Sequence, residues 1–389
     1  MSAPRTTVKK TIVLAAGGTG GHLFPAQALA HALLARGYAV ALVTDRRGKA
    51  FEAPENAAFS VHRIRAEGIS RPGLAAKLGG MVSLGLGTLD ALLLLRRLNP
   101  AMVVGFGGYP SVPTVTAAGL QGITILLHEQ NALLGRANRL LASRARRIAT
   151  SFAEVSGVKE ALRDRLSFTG NPVRPDIVAV RQTPYPPAEI DGKLTVLVTG
   201  GSQGATVFSD VMPAAIALLP ETVRRRLRIE QQARPEDVAR VEAAYSDIGF
   251  QAEVASFFSD MPARLTRAHL AICRSGASTV AELTAAGRPA ILVPYPHAMD
   301  DHQSANAHAV ETAGGAWVMP QDAFCAKAVA DRLEMLLTMP QKLNAAALKM
   351  REAGTPDAVE RLADLVTAEL PANGDSLRHT SPEPQEKAA

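Results

Sequence analysis

The sequence has few cysteines, and its first ten residues are polar. Cys273 and Cys325 are its two cysteines, too few for a disulfide framework or for a zinc site of the CxxC type. We therefore expect a reducing compartment. Residues 1–10 are polar and contain no apolar signal core, so we expect no secretion.

Long apolar runs and aromatic side chains are also scarce. The longest apolar stretch, 81–95, includes Asp90 and is shorter than the roughly 20 residues that cross a bilayer. We therefore expect a soluble or peripheral protein. Aromatic residues make up 4% of the chain, which argues against a stacking platform for single-stranded nucleic acid.

Apolar residues are nevertheless abundant enough for two cores. They make up 47% of the 389 residues, and domains of roughly 100–200 residues favour two domains in a chain of this length. The formal net charge of +6 suits an anionic partner, such as nucleic acid, a nucleotide or an acidic membrane surface.

Strand and helix patterns alternate along most of the chain. Residues 12–14 predict a strand that leads into a glycine-rich loop, after which a helix is expected to open at Pro25 and to end near Gly37. Further strands are expected at 39–43, 103–106 and 123–127. Such alternation predicts an α/β fold in which helices cover both faces of a parallel sheet.

The same pattern restarts in the second half. Residues 171–193 are rich in proline and predict a linker. Residues 194–198 then predict a strand, followed by a second glycine-rich loop at 200–204 and a helix. Because each half opens in the same way, we expect two Rossmann-like domains that face each other.

A glycine-rich loop between a strand and a helix lets backbone N–H groups approach a phosphate. For the first loop, a dinucleotide site would need a third glycine where Leu23 stands, although Asp45 could still serve as the ribose-binding acid. A P-loop would need a lysine where His22 stands, so that interpretation fails.

The second loop has a different rival interpretation. Gly200-Gly201-Ser202-Gln203-Gly204 matches the G-x-S-x-G elbow of α/β-hydrolases, and Asp260 or Asp300 and then His302 follow in the order of a catalytic triad. No HGGG-type oxyanion loop precedes the serine, and a hydrolase would leave the first glycine-rich loop without a role. We therefore disfavour a hydrolase.

Polar clusters follow two of the expected strands. His128-Glu129-Gln130-Asn131 lies at the carboxyl end of a strand, where α/β folds bind ligands. A capped turn with Asn131 as the helix N-cap is compatible with this. The small residues of 273–282 suit a phosphate or ribose, and Glu282 could accept hydrogen bonds from ribose hydroxyls, unless this is only a capped surface helix.

Metal binding is not expected. The polar run 297–308 contains His297, His302 and His308, but its spacing matches no standard ligand pattern. The chain also contains no Asp-x-Asp pair, which many metal-dependent sugar transferases use to hold a diphosphate. We therefore expect neither a metal nor another cofactor.

Taken together, six segments of the chain resemble one enzyme family. In chain order they are Gly18-Thr19-Gly20-Gly21-His22, Gly105-Phe106-Gly107-Gly108-Tyr109, His128-Glu129-Gln130-Asn131, Gly170-Asn171-Pro172-Val173-Arg174, Gly200-Gly201-Ser202-Gln203-Gly204 and the stretch from Arg274 to Glu282. They are similar to the GT-B glycosyltransferases that transfer N-acetylglucosamine from UDP-N-acetylglucosamine to a lipid-linked muramyl-pentapeptide. Each segment alone is weakly specific, whereas six in register are highly specific.

The resemblance implies a GT-B fold, in which two Rossmann-like domains face each other across a cleft. Residues 1–172 would bind the lipid acceptor, and a helix at 355–370 would return to them. Residues 173–354 would bind the UDP-sugar, and 371–389 would be a disordered tail. The implied donor-binding residues are Thr19, Gly20, Gly21, Asn131, Arg174, Ser202, Phe258 (through its backbone), Ala277, Ser278, Thr279, Val280, Ala281, Glu282 and Gln303.

The implied reaction is an inverting displacement, in which the C4 hydroxyl of lipid-linked N-acetylmuramyl-pentapeptide attacks the sugar's anomeric carbon during peptidoglycan synthesis. His22 is our candidate for the base, since a histidine takes up a proton near neutral pH. Alternatively, His22 only shapes the glycine loop. Glu129 and His128 are the reserve candidates. Backbone N–H groups at 200–204 and at helix starts would hold the leaving diphosphate.

A lipid-linked acceptor requires access to a membrane. The resemblance implies a peripheral protein at the cytoplasmic face of the bacterial inner membrane. Apolar residues of 81–95, followed by Arg96 and Arg97, could form an apolar patch with a basic rim that anionic lipid favours, although a leucine-rich helix is more often core. The arginines of 136–147 add positive charge in the same half.

The expected partners are therefore UDP-N-acetylglucosamine, undecaprenyl-pyrophosphoryl-N-acetylmuramyl-pentapeptide, an anionic membrane surface and other cell-wall synthesis enzymes, with no nucleic acid. Two alternative functions stay open. A glycolipid synthase would share the fold and parts of the motifs, and a non-catalytic nucleotide-binding subunit would bind the nucleotide without turnover.

Overall fold

The computed structural model describes residues 10–17, 20–45, 58–66, 74–189, 192–201 and 204–371. These residues form two α/β units, each built around a parallel sheet. We call the unit around the first sheet the N-terminal unit and the unit around the second sheet the C-terminal unit.

The N-terminal sheet has the strand order β3-β2-β1-β4-β5-β6-β7. Its strands are β1 (Thr11–Ala15), β2 (Ala39–Thr44), β3 (Phe59–Arg63), β4 (Met102–Gly105), β5 (Thr124–Glu129), β6 (Arg147–Thr150) and β7 (Leu166–Phe168). The helices of this half are α1 (Gly20–Ala35), α2 (Leu74–Leu98), α3 (Ser111–Leu120) and α4 (Arg136–Leu141).

The C-terminal sheet has the strand order β10-β9-β8-β11-β12-β13. Its strands are β8 (Leu194–Thr199), β9 (Leu227–Gln232), β10 (Glu253–Ala255), β11 (Leu270–Cys273), β12 (Ala290–Leu292) and β13 (Ala316–Val318). The helices that follow the first sheet are α5 (Pro175–Val180), α6 (Thr206–Leu218), α7 (Glu221–Arg224), α8 (Val238–Asp247), α9 (Met261–Arg267), α10 (Ala277–Ala286), α11 (His302–Thr312), α12 (Ala326–Thr338), α13 (Pro340–Ala353) and α14 (Ala358–Ala368).

Strand β1 shows how the N-terminal sheet is buried on both faces. Its alternate side chains point to opposite faces. Ile12 and Leu14 lie in a core with helix α1, whereas Val13 and Ala15 lie in a second core that receives side chains of α2 and α3. A nearly continuous apolar strand is what such a two-sided sheet requires.

The last helix of the described chain returns to the N-terminal unit. Leu362, Ala363 and Val366 of α14 are fully buried in the core that contains β1 and α1. Arg36 at the end of α1 pairs with Glu360 at 2.6 Å. The chain therefore passes from the first unit through the second and back to the first.

Two features differ from the sequence-based expectations. Helix α1 begins at Gly20, so Pro25 lies inside it instead of opening it. Gly20 and Gly21 are poor helix formers and hide this first turn in the sequence. The expected linker contains helix α5, whose Ile177 is fully buried in the core of the C-terminal unit. The expected disordered tail lies outside the described residues after Pro371.

The strand register brings three loops together at one edge of the N-terminal sheet. Ala15 pairs with Gly105 across β1 and β4, and Gly105 pairs with Leu127 across β4 and β5. Because parallel strands end at the same edge, the loops that follow these strands lie side by side. In the C-terminal sheet, Cys273 pairs with both Thr199 and Leu292 and likewise brings three loops together.

Candidate active site

An open cleft cavity of about 200 Å³ lies where the two units meet. The N-terminal unit contributes His22 of α1, loop residues that follow β4 and β5, and the start of α4. The C-terminal unit contributes Met299, Asp300 and His302 from the segment around the start of α11. The cavity therefore lies at the carboxyl edge of the N-terminal sheet and touches the C-terminal unit.

His22 lies in the first turn of α1 and lines this cavity. Its half-buried ring packs against glycines of two loops. A Cβ atom on Gly108 would lie 3.2 Å from the ring Cδ2 atom, and one on Gly17 would lie 3.3 Å from the same atom. Gly108 also has a φ of +72°, which favours glycine. The ring can occupy this place because both neighbours lack side chains.

Burial lowers the pKa of His22 from its ordinary value of 6.5. A hydrogen bond with Gln130, the Glu129 carboxylate and the Phe106 carbonyl oppose this shift, in decreasing order, and do not cancel it. A neutral imidazole can accept a proton. The electrostatic surroundings therefore leave His22 in the form that a general base needs at neutral pH.

His128 and Gln130 extend from His22 into the protein interior. The His22 Nδ1 atom lies 3.0 Å from Gln130 Oε1, and Gln130 Nε2 lies 2.9 Å from His128 Nδ1. The other ring nitrogen of His128, Nε2, lies 3.3 Å from the Gly170 carbonyl oxygen. His128 is fully buried, and burial lowers its pKa to about 4. Both of its ring nitrogens are therefore engaged away from the cleft.

Glu129 organises the loop between β5 and α4. Its Oε1 accepts from the backbone and side-chain N–H groups of Asn131, at 3.0 and 3.1 Å. Its Oε2 accepts from the Gly135 backbone at 2.9 Å and from the Asn138 side chain at 2.8 Å. The carboxylate is 1% exposed. Four donors therefore hold Glu129 inside the loop.

Asn131 is not a helix N-cap, contrary to the capped-turn alternative. Helix α4 begins at Arg136, and Gly135 occupies the cap position. The Asn131 side chain instead donates to Glu129 and accepts from Asn306 of α11 at 3.1 Å. The Asn131 side chain does not cap the helix, because its hydrogen bonds are made with the Glu129 carboxylate and with the Asn306 amide of the C-terminal unit.

Asn306 bridges the two units and was missed by the motif analysis. Its Oδ1 accepts from the Ala132 backbone at 2.8 Å, and its Nδ2 donates to both Asn131 and the Ser275 carbonyl. It is 0% exposed. In the sequence, the one signal for Asn306 is its place in the polar run after β12. Its partners Asn131, Ala132 and Ser275 are 175, 174 and 31 residues away along the chain.

An ion pair crosses the cleft beside this bridge. The guanidinium of Arg136 in α4 contacts both carboxylate oxygens of Asp300, with Nε at 3.0 and 2.9 Å from them. Arg136 therefore holds the pKa of the Asp300 carboxyl below its usual range. Asp300 and Asp301 both have left-handed φ values, of +53° and +54°, so this segment turns sharply toward the N-terminal unit.

The start of helix α10 forms the second cluster of sequence-predicted residues. Gly276 precedes the helix without a side-chain cap, and the buried Ser278 hydroxyl has no hydrogen-bond partner among the residues that the structure describes. Glu282 lies on the same helix, 3.4 Å from Arg174. Burial raises the pKa of Glu282, and Arg174 opposes this shift. Arg174 and Glu282 are therefore brought together, although 108 residues separate them.

The remaining predicted residues fall into three groups. Gln303 accepts from the Tyr295 backbone through its side chain at 3.0 Å, and its carbonyl accepts from Ser275 at 2.8 Å. The Phe258 ring is buried in the core, 3.6 Å from the Arg264 guanidinium carbon, so its side chain does not face a ligand. Thr19 and Ser202 lie outside the described residues.

The described residues do not assemble a hydrolase triad. Asp260 pairs with Arg264 at 2.7 Å, Asp300 pairs with Arg136, and His302 Nδ1 contacts the Met299 carbonyl oxygen at 2.7 Å. Each residue that could orient or activate a serine is therefore engaged elsewhere. Within the described ranges, no group of three or more His, Cys, Asp or Glu side chains is arranged to hold a metal ion.

Family models cover both units. The glycosyltransferase family 28 N-terminal domain matches residues 12–150, and the glycosyltransferase family 28 C-terminal domain matches residues 195–362. The crystal structure of Acinetobacter baumannii MurG superimposes with a TM-score of 0.75 at 28% identity, over 92% of this chain and 99% of that chain. A glycosyltransferase from Rickettsia africae, at 12% identity and a TM-score of 0.60, covers 94% of this chain and 100% of its own and shares the fold.

Relatives of known name are similar over nearly their whole length. The UDP-N-acetylglucosamine–N-acetylmuramyl-(pentapeptide) pyrophosphoryl-undecaprenol N-acetylglucosamine transferase of Paramagnetospirillum magneticum is 55% identical over 366 residues, 94% of this chain and 98% of that protein. The transferase of the same name from Rhodospirillum centenum is 56% identical over 383 residues, 97% of this chain and 98% of that protein. With its two parallel-sheet units and a cleft between them, the chain is a GT-B glycosyltransferase that belongs to family 28, within the family of these N-acetylglucosamine transferases.

Proposed function

We propose that this chain transfers N-acetylglucosamine from UDP-N-acetylglucosamine to the C4 hydroxyl of undecaprenyl-pyrophosphoryl-N-acetylmuramyl-pentapeptide. The observation that carries this proposal is the cleft cavity, which His22 lines from the N-terminal unit and which Asp300 and His302 line from the C-terminal unit. The names of the relatives supply the donor and the acceptor. We assign the acceptor to residues 1–172 with 355–370, and the donor mainly to residues 173–354.

On the donor side, the start of α10 supplies backbone N–H groups that have no intrahelical acceptor. A helix N-terminus favours a negative charge, which suits a diphosphate. The buried Ser278 hydroxyl adds a donor that has no partner within the described ranges. We propose that Glu282, which lies 3.4 Å from Arg174, accepts hydrogen bonds from ribose hydroxyls.

The donor set extends along the cleft edge. Gly20 and Gly21 open helix α1 beside His22, and Asn131 faces the C-terminal unit through Asn306. Gly201, with a φ of +77°, begins the turn after β8. We propose that these groups contact the donor together with Thr19, Arg174, Ser202, the Phe258 backbone, Gln303 and residues Ala277 to Glu282.

We propose that His22 acts as the general base in a single displacement. The acceptor hydroxyl oxygen forms a bond with the anomeric carbon, its proton moves to His22 Nε2, and the bond to the diphosphate breaks. The electron pair of the broken bond leaves with UDP on the opposite face of the sugar, so the configuration inverts. His128 and Glu129, the reserve candidates, have their polar atoms engaged in buried hydrogen bonds.

A face of helix α2 suits a membrane surface. Val82, Leu86, Leu89 and Leu93 are 40–66% exposed, and their spacing of four, three and four residues places them on one helix face. Arg96 and Arg97 follow in the last turn and are exposed. Helix α2 also has buried side chains, Ala91 and Leu95, so it serves the core and the surface. Among the described helices, none is long and apolar enough to span a bilayer.

We propose that this exposed row and its arginines hold the enzyme at the anionic cytoplasmic face of the bacterial inner membrane, where other cell-wall synthesis enzymes would be its neighbours. Replacing both Leu89 and Leu93 with serine should weaken sedimentation with vesicles that contain anionic lipid. The matched control is Leu348→Ser on α13, since Leu348 is 63% exposed in the C-terminal unit. Equal vesicle binding by the α2 variant and the wild type would exclude this face of α2 as the membrane-binding surface.

The reaction is tested by UDP release from UDP-N-acetylglucosamine, with and without lipid-linked muramyl-pentapeptide, in the presence of a chelator. Release that depends on the acceptor and survives chelation is expected. Tight UDP binding without turnover would contradict the proposal and would favour either a different lipid acceptor, as in a glycolipid synthase, or a non-catalytic subunit.

A further inference from the structure

We propose that Gln130 and His128 are positioning residues that hold neutral His22 in its Nδ1–H tautomer, so that the Nε2 lone pair is presented to the acceptor hydroxyl. We call the connected groups Gly170 C=O, His128, Gln130 and His22 the imidazole–amide chain. This inference rests on the proposed role of His22 as the base. The backbone carbonyl groups of Gly170 and His128 determine the direction of each hydrogen bond in this chain of groups.

The first carbonyl determines the tautomer of His128. A carbonyl oxygen can only accept, so the contact of 3.3 Å between Gly170 O and His128 Nε2 requires a proton on Nε2. The low pKa of His128 keeps its ring neutral at pH 7. A neutral imidazole carries one N–H, so His128 Nδ1 has a lone pair and must accept its hydrogen bond from Gln130.

The second carbonyl determines the orientation of the Gln130 amide. Gln130 Nε2 lies 3.1 Å from the backbone oxygen of His128 and 2.9 Å from His128 Nδ1. Both of these atoms accept, and an amide NH₂ group has two donors. Both contacts therefore require the amide nitrogen of Gln130 to face His128, so Gln130 Oε1 faces His22. Gln130 is 2% exposed, so water does not compete for these bonds.

The consequence falls on His22. Gln130 Oε1 can only accept, so the contact of 3.0 Å requires the His22 proton to be on Nδ1. In the neutral ring, Nε2 then carries the lone pair. Without Gln130, a histidine can populate either tautomer, and the Nε2–H form cannot take a proton from the acceptor at that atom. When Nε2 accepts the proton, Gln130 Oε1 stabilises the imidazolium through the Nδ1–H that remains in place.

The first test reads the tautomers without any substrate. Long-range ¹H–¹⁵N spectra of the full chain, labelled with ¹⁵N in its nine histidines, should show His22 as Nδ1–H and His128 as Nε2–H at pH 8. His22→Asn and His128→Asn assign the two sets of signals. In Gln130→Met, the His22 signals should average between tautomers. A pure Nε2–H form of His22 in the wild type, or an unchanged Nδ1–H form in Gln130→Met, would overturn the inference.

The second test compares two substitutions of Gln130 by kinetics. Gln130→Met removes the acceptor for Nδ1–H, and we expect kcat to fall roughly tenfold to a hundredfold with an unchanged KM for the donor. Gln130→Glu places a carboxylate beside Nδ1–H, which favours the imidazolium. The acid limb of the kcat/KM profile should therefore move upward by about one pH unit or more. Gln251→Met, at an exposed position of the C-terminal unit, is the control for the loss of a glutamine.

The groups that face His22 from neighbouring elements are Glu129, the Phe106 carbonyl oxygen and His302 of α11, together with His128. They stay in place in both variants, so the direction of the pH shift reports on position 130. An unmoved acid limb in a folded, active Gln130→Glu variant would contradict the imidazole–amide chain. A wild type that transfers no sugar would overturn the proposed function instead, and the spectra would still test the tautomers.

Discussion

Replacing Gly108 with alanine tests whether the glycine loops position His22. Gly108 has a φ of +72°, and its new Cβ would lie 3.2 Å from the His22 Cδ2 atom and 3.3 Å from the Gly17 Cα atom. The left-handed conformation costs an alanine roughly 1–2 kcal/mol. Since both contacts are tighter than ordinary van der Waals distance, the imidazole or the loop must also shift by a few tenths of an ångström.

Gly37→Ala is the matched control, because Gly37 has a similar φ of +84° and a Cβ there would meet no atom within 4 Å. Both variants should lose roughly 1–2 kcal/mol of stability, visible by calorimetry as a drop in Tm of about 2–8 °C. Only Gly108→Ala should lose activity, by about tenfold in kcat, since small displacements of a catalytic group are costly. Equal kcat values for the two variants would refute the claim that these glycines set the position of His22.

Three further predictions follow from the site. Because burial lowers the pKa of His22, the base stays neutral as the pH falls toward 6.5, and kcat/KM should decline only below that value, with a flat profile from pH 7 upward; a decline centred at or above pH 7 would contradict a depressed pKa. Glu129→Gln places an amide NH₂ against backbone and side-chain donors, so the protein should lose about 1–3 kcal/mol of stability, and the backbone amides of residues 131–138 should exchange hydrogen faster. Unchanged exchange in these residues would show that the Glu129 carboxylate does not organise the loop. Asn306→Ala leaves hydrogen-bonding groups of both units without a partner, so kcat/KM should fall about tenfold or more. In the control Asn344→Ala, the lost contact is to Ala188 within the C-terminal unit, so Tm should change and kcat/KM should not. Equal losses of kcat/KM in the two variants would contradict the bridging role of Asn306.

Much of the fold could be predicted because local patterns encode it. Strands such as β1 and β8 are short apolar runs that end at glycine-rich loops, and this repetition is typical of two parallel-sheet units. Helix α1 was placed too late because its first turn contains Gly20 and Gly21. Helix α5 was hidden because proline-rich segments are typical of linkers, whereas Ile177 is in fact buried against distant strands.

The site was predictable where a loop carries its own signature and not where contacts join distant segments. His22, Glu129 and Glu282 follow from the motifs that contain them. The bridge through Asn306 joins residues 174 positions apart, and no local pattern indicates it. Gln130 belongs to one of these motifs, but the motif alone indicates no role for it, because the direction of its hydrogen bonds depends on the Gly170 carbonyl, 40 residues away along the chain.

The most direct test of the central claim is to identify the product that the chain makes from UDP-N-acetylglucosamine and lipid-linked N-acetylmuramyl-pentapeptide. Mass spectrometry should show one added N-acetylhexosamine, and NMR should show it β-linked to the C4 oxygen, inverted from the α-linked donor. His22→Ala should form the same product about 10²-fold more slowly with unchanged donor affinity. An unmodified acceptor, an α-linked product, or full activity of His22→Ala would contradict the account.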